Sequence, residues 1–487
     1  MSSCALSVSS SVKQVWVAVG VLSSVVAQGV VVGYSSPLLA ELRARGGFQL
    51  DLHRASLLSS ILGPAVLVGQ ITSGVLMDVI GRRSTFLVAQ IPGVVGWLLI
   101  YFCQSYSVLL TGRLFTGVST GLVSMLSVVV LGEYTDPKQR GVYLSLKMAC
   151  FNLGFTISHN VLGLLYWRTI ALVAVVPYVV TAVVFYTSPE SPAWLATKQK
   201  YDKCRNNFFL IRRRTGRSIW EVEEMIAAQK EQQSLVIKNS TIFQKLMCYF
   251  KKFTQKDFLK PLVLLVFSIV QLEACGRHFF SAYAANIMSD ITGPGADYNK
   301  YIVIIDVLTT VAAFAAVPLM RVMNRRTLLF SSGVSSLLAL FPTCIFLYLI
   351  SNERLSRDYQ LVPISLLSLY FFLVNIGCSA VTMAVKGELF PVRHRGAALV
   401  SGAFILFILL SISFHFTLFS LFYLNVYGTF ALCGVIMAST LVGMYVMLPE
   451  TKDRTLQEVE DYFHNGRYGV TRLAREDHLT IITQKDG

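Results

Sequence analysis

Four ionisable residues stand inside otherwise apolar stretches of this sequence and could carry chemistry: Glu273, Arg277, His278 and Asp306. Glu273 and Arg277 are four apart, which on a helix places carboxylate and guanidinium on one face in the more favourable order. Charge in an apolar setting is costly, and is kept where it pairs, moves a proton or holds a solute. Two readings therefore stand side by side. Glu273, Arg277 and Asp306 form a self-neutralised intramembrane cluster that pins two helices, or they meet a solute. Enzymatic chemistry has no footing, because no nucleophile–base pair, metal-ligand spacing or phosphate-binding loop occurs outside the apolar stretches. The 9 cysteines are scattered and none forms a C-x-x-C, as expected of small buried hydrophobes. No catalytic residue, cofactor or metal site is expected.

The elements that must position these groups follow from composition. Of 487 residues, 54% are hydrophobic and only 14% charged, with mean hydropathy +0.59. A soluble chain carries charge on about a quarter of its residues. Disorder and a disulfide-stapled secreted domain are excluded by the same figures, and a polytopic membrane protein remains. Twelve apolar stretches are long enough to cross a ~30 Å hydrocarbon core as helices. They are centred on 15–38, 57–79, 85–103, 108–131, 142–165, 169–187, 260–286, 300–320, 328–350, 361–385, 397–421 and 427–447. The first reads as a retained span rather than a cleaved leader, since no small-residue cleavage site follows it.

With both termini cytoplasmic, most of the 42 Lys and Arg residues fall in cytoplasmic segments, and the excess persists when only short loops are counted. The net charge of +15 is then positive-inside charge facing anionic lipid headgroups, not a nucleic-acid surface. Amphipathic patterns at 201–211 and 219–232 predict a small cytoplasmic helical layer, and 455–463 one helix in the tail. The expected organisation is a cytoplasmic N-terminus over 1–14, a six-helix bundle over 15–195, a helical linker over 196–259, a second bundle over 260–448 and a cytoplasmic tail over 449–487.

Charged motifs recur along the chain. Glu133 and Arg140-Gly141 read E-x6-R-G, as do Glu388 and Arg395-Gly396, 255 residues further on. Gly81-Arg82-Arg83 is answered by Asn324-Arg325-Arg326 at an offset of 243, and Pro189-Glu190-Ser191 by Pro449-Glu450-Thr451 at 260. Three pairs at nearly one offset make the chain two parallel six-helix halves, which points to a transporter of the major facilitator fold. Each motif ends a span, where Arg and Glu can form forked bonds between neighbouring helices. Asp78, Arg82, Arg83, Glu133, Arg140, Glu190, Arg325, Arg326, Glu388, Arg395 and Glu450 are accordingly expected to form a cytoplasmic gate, made in one state and broken in the other.

Gly74-x3-Asp78-x2-Gly81-Arg82-Arg83, Gly112-Arg113-x3-Gly117-x3-Gly121, Pro189-Glu190-Ser191-Pro192-Ala193-Trp194-Leu195 and Pro449-Glu450-Thr451-Lys452 resemble the sugar porter family over about residues 15–463. Asn152-Leu153-Gly154 and the wording of 189–204 are similar to the insect facilitated trehalose transporters. The resemblance implies a facilitative sugar carrier with a midplane site and alternating access. It implies trehalose or a hexose as substrate and the plasma membrane as location. Proton-linked members often carry an aspartate directly after Gly-Tyr in the first span. Here Gly33-Tyr34 is followed by Ser35, which favours uniport.

A sugar site needs neutral donors and acceptors to re-pair hydroxyls stripped of water. Neutral candidates in the spans are Gln28, Gln70, Asn152, His159, Asn160, Gln271 and Thr309. The family's helix-seven pattern Q-Q-x-S-G-x-N is replaced by Leu272-Glu273-Ala274-Cys275-Gly276-Arg277-His278, so His278 takes the asparagine position. Met383 takes that of the helix-ten tryptophan. The substrate-binding candidates are Gln28, Gln70, Asn152, Gln271, Glu273, His278, Thr309 and Met383. A carrier of another small, charged solute, a proton symporter and a non-transporting sugar sensor are the alternatives.

Overall fold

The computed structural model of the chain describes residues 2–45, 51–135, 137–161, 165–235, 256–293, 297–389, 395–452 and 462–463. The helix expected at 455–463 lies outside the described residues apart from Tyr462 and Phe463. Among the described residues there is no β-strand, as the apolar environment demands. Without water, backbone groups must be satisfied within the segment that carries them.

Ten helical spans among the described residues are long and apolar enough to cross a membrane. One of them, Phe404–Met447, covers both the eleventh and twelfth expected spans, with its backbone broken at Asn425 (φ 56°, ψ −176°). The fifth span is the helix Pro137–Thr156, continued by a π-helical turn at Ile157–Val161. The twelve expected spans are thus all represented. Their outer faces are apolar and open, as at Val75, Val79, Ile91 and Val322, which suits lipid contact.

The chain divides into two compact units. The first comprises Met1–Lys238 with His278–Phe314 and Leu410–Val426. It contains α1 (Ser2–Gly33), α2 (Ser35–Arg45), α3 (Leu52–Ser60), α4 (Leu62–Ile80), α5 (Arg82–Tyr101), α6 (Tyr106–Tyr134), α7 (Pro137–Thr156), α8 (Trp167–Val173) and α9 (Val176–Thr187). α6 packs on α4 and α5, and α1 on α7 and α9. Helices in lipid gain little from hydrophobicity, so small polar side chains bonding a neighbour's backbone matter. Ser73 Oγ donates to Leu122 O at 3.0 Å and Ser119 Oγ to Ala89 O at 2.7 Å. The core gathers Val21, Val25, Phe86, Leu126, Val130 and Phe185, with the Phe86 and Phe185 rings stacked at 3.9 Å. The same unit carries a helical layer of α10 (Pro192–Thr197), α11 (Tyr201–Ile211) and α12 (Gly216–Leu235). It has its own small core of Leu195, Cys204, Phe208, Val222 and Ile226.

The second unit comprises Asn239–Arg277, Ala315–Leu409 and Tyr427–Gly487. It contains α13 (Lys256–Ala274), α16 (Arg325–Ser351), α17 (Leu361–Leu373) and α18 (Ser379–Glu388). α14 (Arg277–Thr292), α15 (Asn299–Val322) and α19 (Arg395–Met447) contribute residues to both units. Within this unit α16 packs on α17 and α13 on α18.

Three irregularities interrupt the spans at residues of interest. The seventh span breaks between α13 and α14 at Cys275–Gly276, where Gly276 takes φ 73°, a left-handed conformation that glycine adopts without strain. The two π turns hold His159 and Cys378. Breaks and π turns free backbone groups and re-aim side chains, which is why they concentrate at functional positions.

Candidate functional site

The duplicated charges build the same cradle twice. In the first unit α5 begins on Arg82 and Arg83, whose amides have no intrahelical acceptor. Glu190 fills that need: its Oε1 accepts from Arg82 N at 2.8 Å, Arg83 N at 3.1 Å and Ser191 N at 2.8 Å. The carboxylate also opposes the positive end of the helix. Arg83 reaches back to Phe185 O at 3.0 Å and Tyr186 O at 2.5 Å, while Arg82 Nη1 donates to Met77 O at 3.0 Å.

In the second unit α16 begins on Arg325 and Arg326, and Glu450 accepts from Arg325 N at 3.0 Å and Arg326 N at 3.1 Å. Arg326 reaches back to Leu448 O at 2.7 Å and Tyr445 O at 2.9 Å. Arg325 Nη1 donates to Met320 O, five residues before it as Met77 precedes Arg82. The carboxylate on two arginine amides, the reach of the second arginine to backbone carbonyls and the bond of the first to a carbonyl five residues before it are common to both.

Arg82 carries the further fork. Its Nη2 donates to Glu133 Oε1 at 2.9 Å and its Nε to Oε2 at 3.1 Å, and Ser191 Oγ donates to Glu133 Oε2 as well. Asp78 lies 3.9 Å from Arg82 with 85% of its side chain exposed, so this contact is worth little. Arg140, Glu388 and Arg395 lie on helices, but their side chains are outside the described residues. The structure thus brings together Arg82, Arg83, Glu133 and Glu190 in one unit, and Arg325, Arg326 and Glu450 in the other.

Of the polar candidates within the first unit, Gln28, Gln70, Asn152 and His278 are buried. Among the described residues, Gln28 Nε2, Gln70 Oε1 and both polar atoms of the Asn160 side chain are buried without a hydrogen-bond partner. The His278 ring lies 6.2 Å from that of Phe151. Thr309 turns its hydroxyl back to Asp306 O at 2.9 Å.

Asp306 meets a partner that helical spacing does not reveal. Its Oδ2 lies 2.7 Å from His159 Nδ1 on the π turn after α7, and His159 Nε2 lies 2.8 Å from Ser281 O. The side chain of Arg277, expected beside Asp306, is outside the described residues. Arg113, noted in the sequence only as part of a motif, is fully buried. Its Nη1 donates to Val31 O at 2.8 Å and its Nη2 to Ser35 Oγ, and its guanidinium sits 5.7 Å from the Tyr34 ring. Ser35, the residue directly after Gly33-Tyr34, is therefore the one that meets this arginine.

Within the second unit Gln271 is fully buried and engaged inside the protein. Its Nε2 donates to Cys378 Sγ at 3.1 Å and its Oε1 accepts from Thr440 Oγ1. Cys275 lies 3.9 Å from Cys378, and Tyr370 OH donates to Cys275 O at 3.1 Å. Glu273 is buried, and Met383 is half-buried.

The sequence and the helical fold have counterparts among known proteins. The model of the family described as "Sugar (and other) transporter" matches residues 14–463. A facilitated trehalose transporter of Apis mellifera ligustica is 25% identical over 436 residues, covering 88% of this chain and 84% of the bee protein. Its counterpart in Bombyx mori is 25% identical over 449 residues, covering 91% and 85%. Among solved structures, the proton:xylose symporter XylE bound to 6-bromo-6-deoxy-D-glucose superposes with TM-score 0.74 at 16% identity, covering 93% of this chain and 100% of that one. The inward-open form of XylE from E. coli gives 0.69 at 17% identity, covering 92% and 98%. That likeness shows the major facilitator fold. Because the family match takes in nearly every residue from the first span to Phe463, both copies of the cradle included, the chain belongs to the sugar (and other) transporter family.

Proposed function

We propose that the protein is a facilitative carrier of a neutral sugar, with trehalose the first substrate to test and a hexose the second. The observation that carries this reading is the set of buried, uncharged and unpaired amide atoms on three spans of the first unit, at Gln28, Gln70 and Asn160. An unmet buried amide costs about 1–3 kcal/mol, and a polyhydroxylated solute supplies both donors and acceptors to such groups. The names of the trehalose-transporting relatives point to the same solute class.

Asn152, His278 and Thr309 complete the proposed set within the first unit, and Gln271, Glu273 and Met383 are separate candidates within the second, with Gln271 acting through the helices it joins. A charged solute is less well supported, since Asp306 already has His159 within bonding distance. The two cradles serve as gate elements, with both termini cytoplasmic and the plasma membrane as location.

The experiment is counterflow in proteoliposomes preloaded with unlabelled trehalose or glucose. Wild type accumulates labelled sugar transiently, and Gln28→Ala and Gln70→Ala raise the half-saturating concentration at least severalfold. Counterflow by wild type that both variants leave unaltered would remove these amides from the site. A wild type without counterflow would remove the sugar reading.

A further inference from the structure

The contact between His159 and Asp306 has a protonation state that can be counted from its hydrogen bonds. Ser281 O can only accept, so His159 Nε2 at 2.8 Å must carry a hydrogen. A second hydrogen must then lie between Nδ1 and Asp306 Oδ2, which are 2.7 Å apart. Imidazolium with carboxylate satisfies this, and so does neutral imidazole with a carboxylic acid. Either form holds one proton more than a solvated aspartate and histidine hold together above about pH 7.

The pair also belongs to a seam. It joins the π turn after α7, in the first half of the chain, to α15 in the second. Thr156 Oγ1 reinforces it, 2.7 Å from Thr310 Oγ1 and 3.1 Å from Asp306 O. Two further contacts within the same unit join the halves: Ala285 N donates to Ser36 Oγ at 3.0 Å, and Ser56 Oγ lies 3.0 Å from His415 Nδ1. All three lie toward the ends of their spans that face away from the duplicated cradles.

We propose that His159 and Asp306 form a proton-binding latch, in which closing this seam takes up one proton and opening it releases one. The pair is exposed only when the seam opens, so the proton enters and leaves at the same face. Closure then depends on pH without driving symport. The proposal relies on the carrier reading for its consequence in transport, not for its test.

Among the described residues, titratable and charged groups on the surrounding elements include Tyr34, Glu41, Arg113, Lys147, His278, Tyr283, Asp290, Lys300 and Tyr301. Glu41 accepts from Trp167 N at 2.7 Å and Lys147 donates to Ser124 O at 3.2 Å. His278, and His53 and His415 at the neighbouring contact, are further ionisable side chains, and the variants below retain all three.

The test is pulsed electron-spin distance measurement between labels at Phe102→Cys and Tyr423→Cys, both on exposed residues of the first unit, in lipid nanodiscs without sugar. The chain lacking the added cysteines gives the background. The ratio of open to closed populations should rise with pH above about 7, approaching tenfold per pH unit for one linked proton, and level off below about 6. Asp306→Asn, which can donate to Nδ1 of a neutral imidazole, should abolish the slope, as should His159→Gln. If one variant fails to accumulate, the other decides. A flat wild-type profile, or an unchanged slope in the variants, overturns the proposal. Trehalose counterflow is scored separately, so its failure removes the sugar and leaves the latch standing.

Discussion

The two cradles divide their amide donors differently over the carboxylate oxygens, and a single substitution can read the difference. Glu190 takes all three amide donors on one oxygen, Oε1. Glu450 divides its donors, with Arg325 N and Lys452 N on Oε1 and Arg326 N on Oε2. A glutamine has one carbonyl oxygen. At position 190 it can keep every bond and lose only the charge, which opposes a helix N-terminus and two arginines. That loss is worth about 1 kcal/mol. At position 450 the amide nitrogen must face at least one backbone N–H, which adds an unmet donor worth about 1–3 kcal/mol. Glu190→Gln is therefore expected to cost about 1 kcal/mol and Glu450→Gln about 2–4 kcal/mol. Apparent melting midpoints in nanodiscs, compared at one scan rate because unfolding of such proteins is irreversible, should fall clearly further for Glu450→Gln. Equal falls, or a larger one for Glu190→Gln, would refute the cradle geometry.

Arg82→Lys replaces the fork on Glu133 with a point charge and should destabilise by about 1–2 kcal/mol while slowing counterflow, checked by the same melting assay and by initial rates. Gly81→Ala should cost about 1–3 kcal/mol, because φ is 93° and the added Cβ would lie 2.5 Å from Glu190 Oε2. Its midpoint should fall below that of Glu190→Gln. In the helical layer, the Arg205 guanidinium bonds Glu223 at 2.7 Å and 3.0 Å and holds its carboxyl below the usual glutamate range. A lowered folded value means that this tie between α11 and α12 is complete above about pH 4.3 and is lost as pH falls through the lowered value. Limited proteolysis of the layer should therefore accelerate only in that acid range, and Glu223→Gln should remove the dependence.

The parts legible in the sequence were those governed by local periodicity and by repetition. Apolar runs of about 20 residues gave the spans, because a helix in lipid cannot satisfy its backbone any other way. The offsets of 243 and 260 residues anticipated two equivalent cradles, and Glu190 and Glu450 occupy them. Helical spacing pairs Glu273 with Arg277, and Asp306 joins them in the sequence only as another acid inside a span. The histidine that bonds it lies 147 residues away in the chain, a distance that no i,i+4 rule bridges. Gln271 read as a site amide because polarity in a span does not say which way a side chain faces. Its bonds run to Cys378 and Thr440 of neighbouring helices. The role of Arg113 was hidden similarly: its motif was visible, but not that Ser35 would receive it.

Trehalose counterflow in proteoliposomes tests the central claim most directly. The account predicts a transient accumulation of labelled trehalose that survives a protonophore and is weakened in Gln28→Ala. Correctly inserted protein that exchanges neither trehalose nor glucose would contradict it.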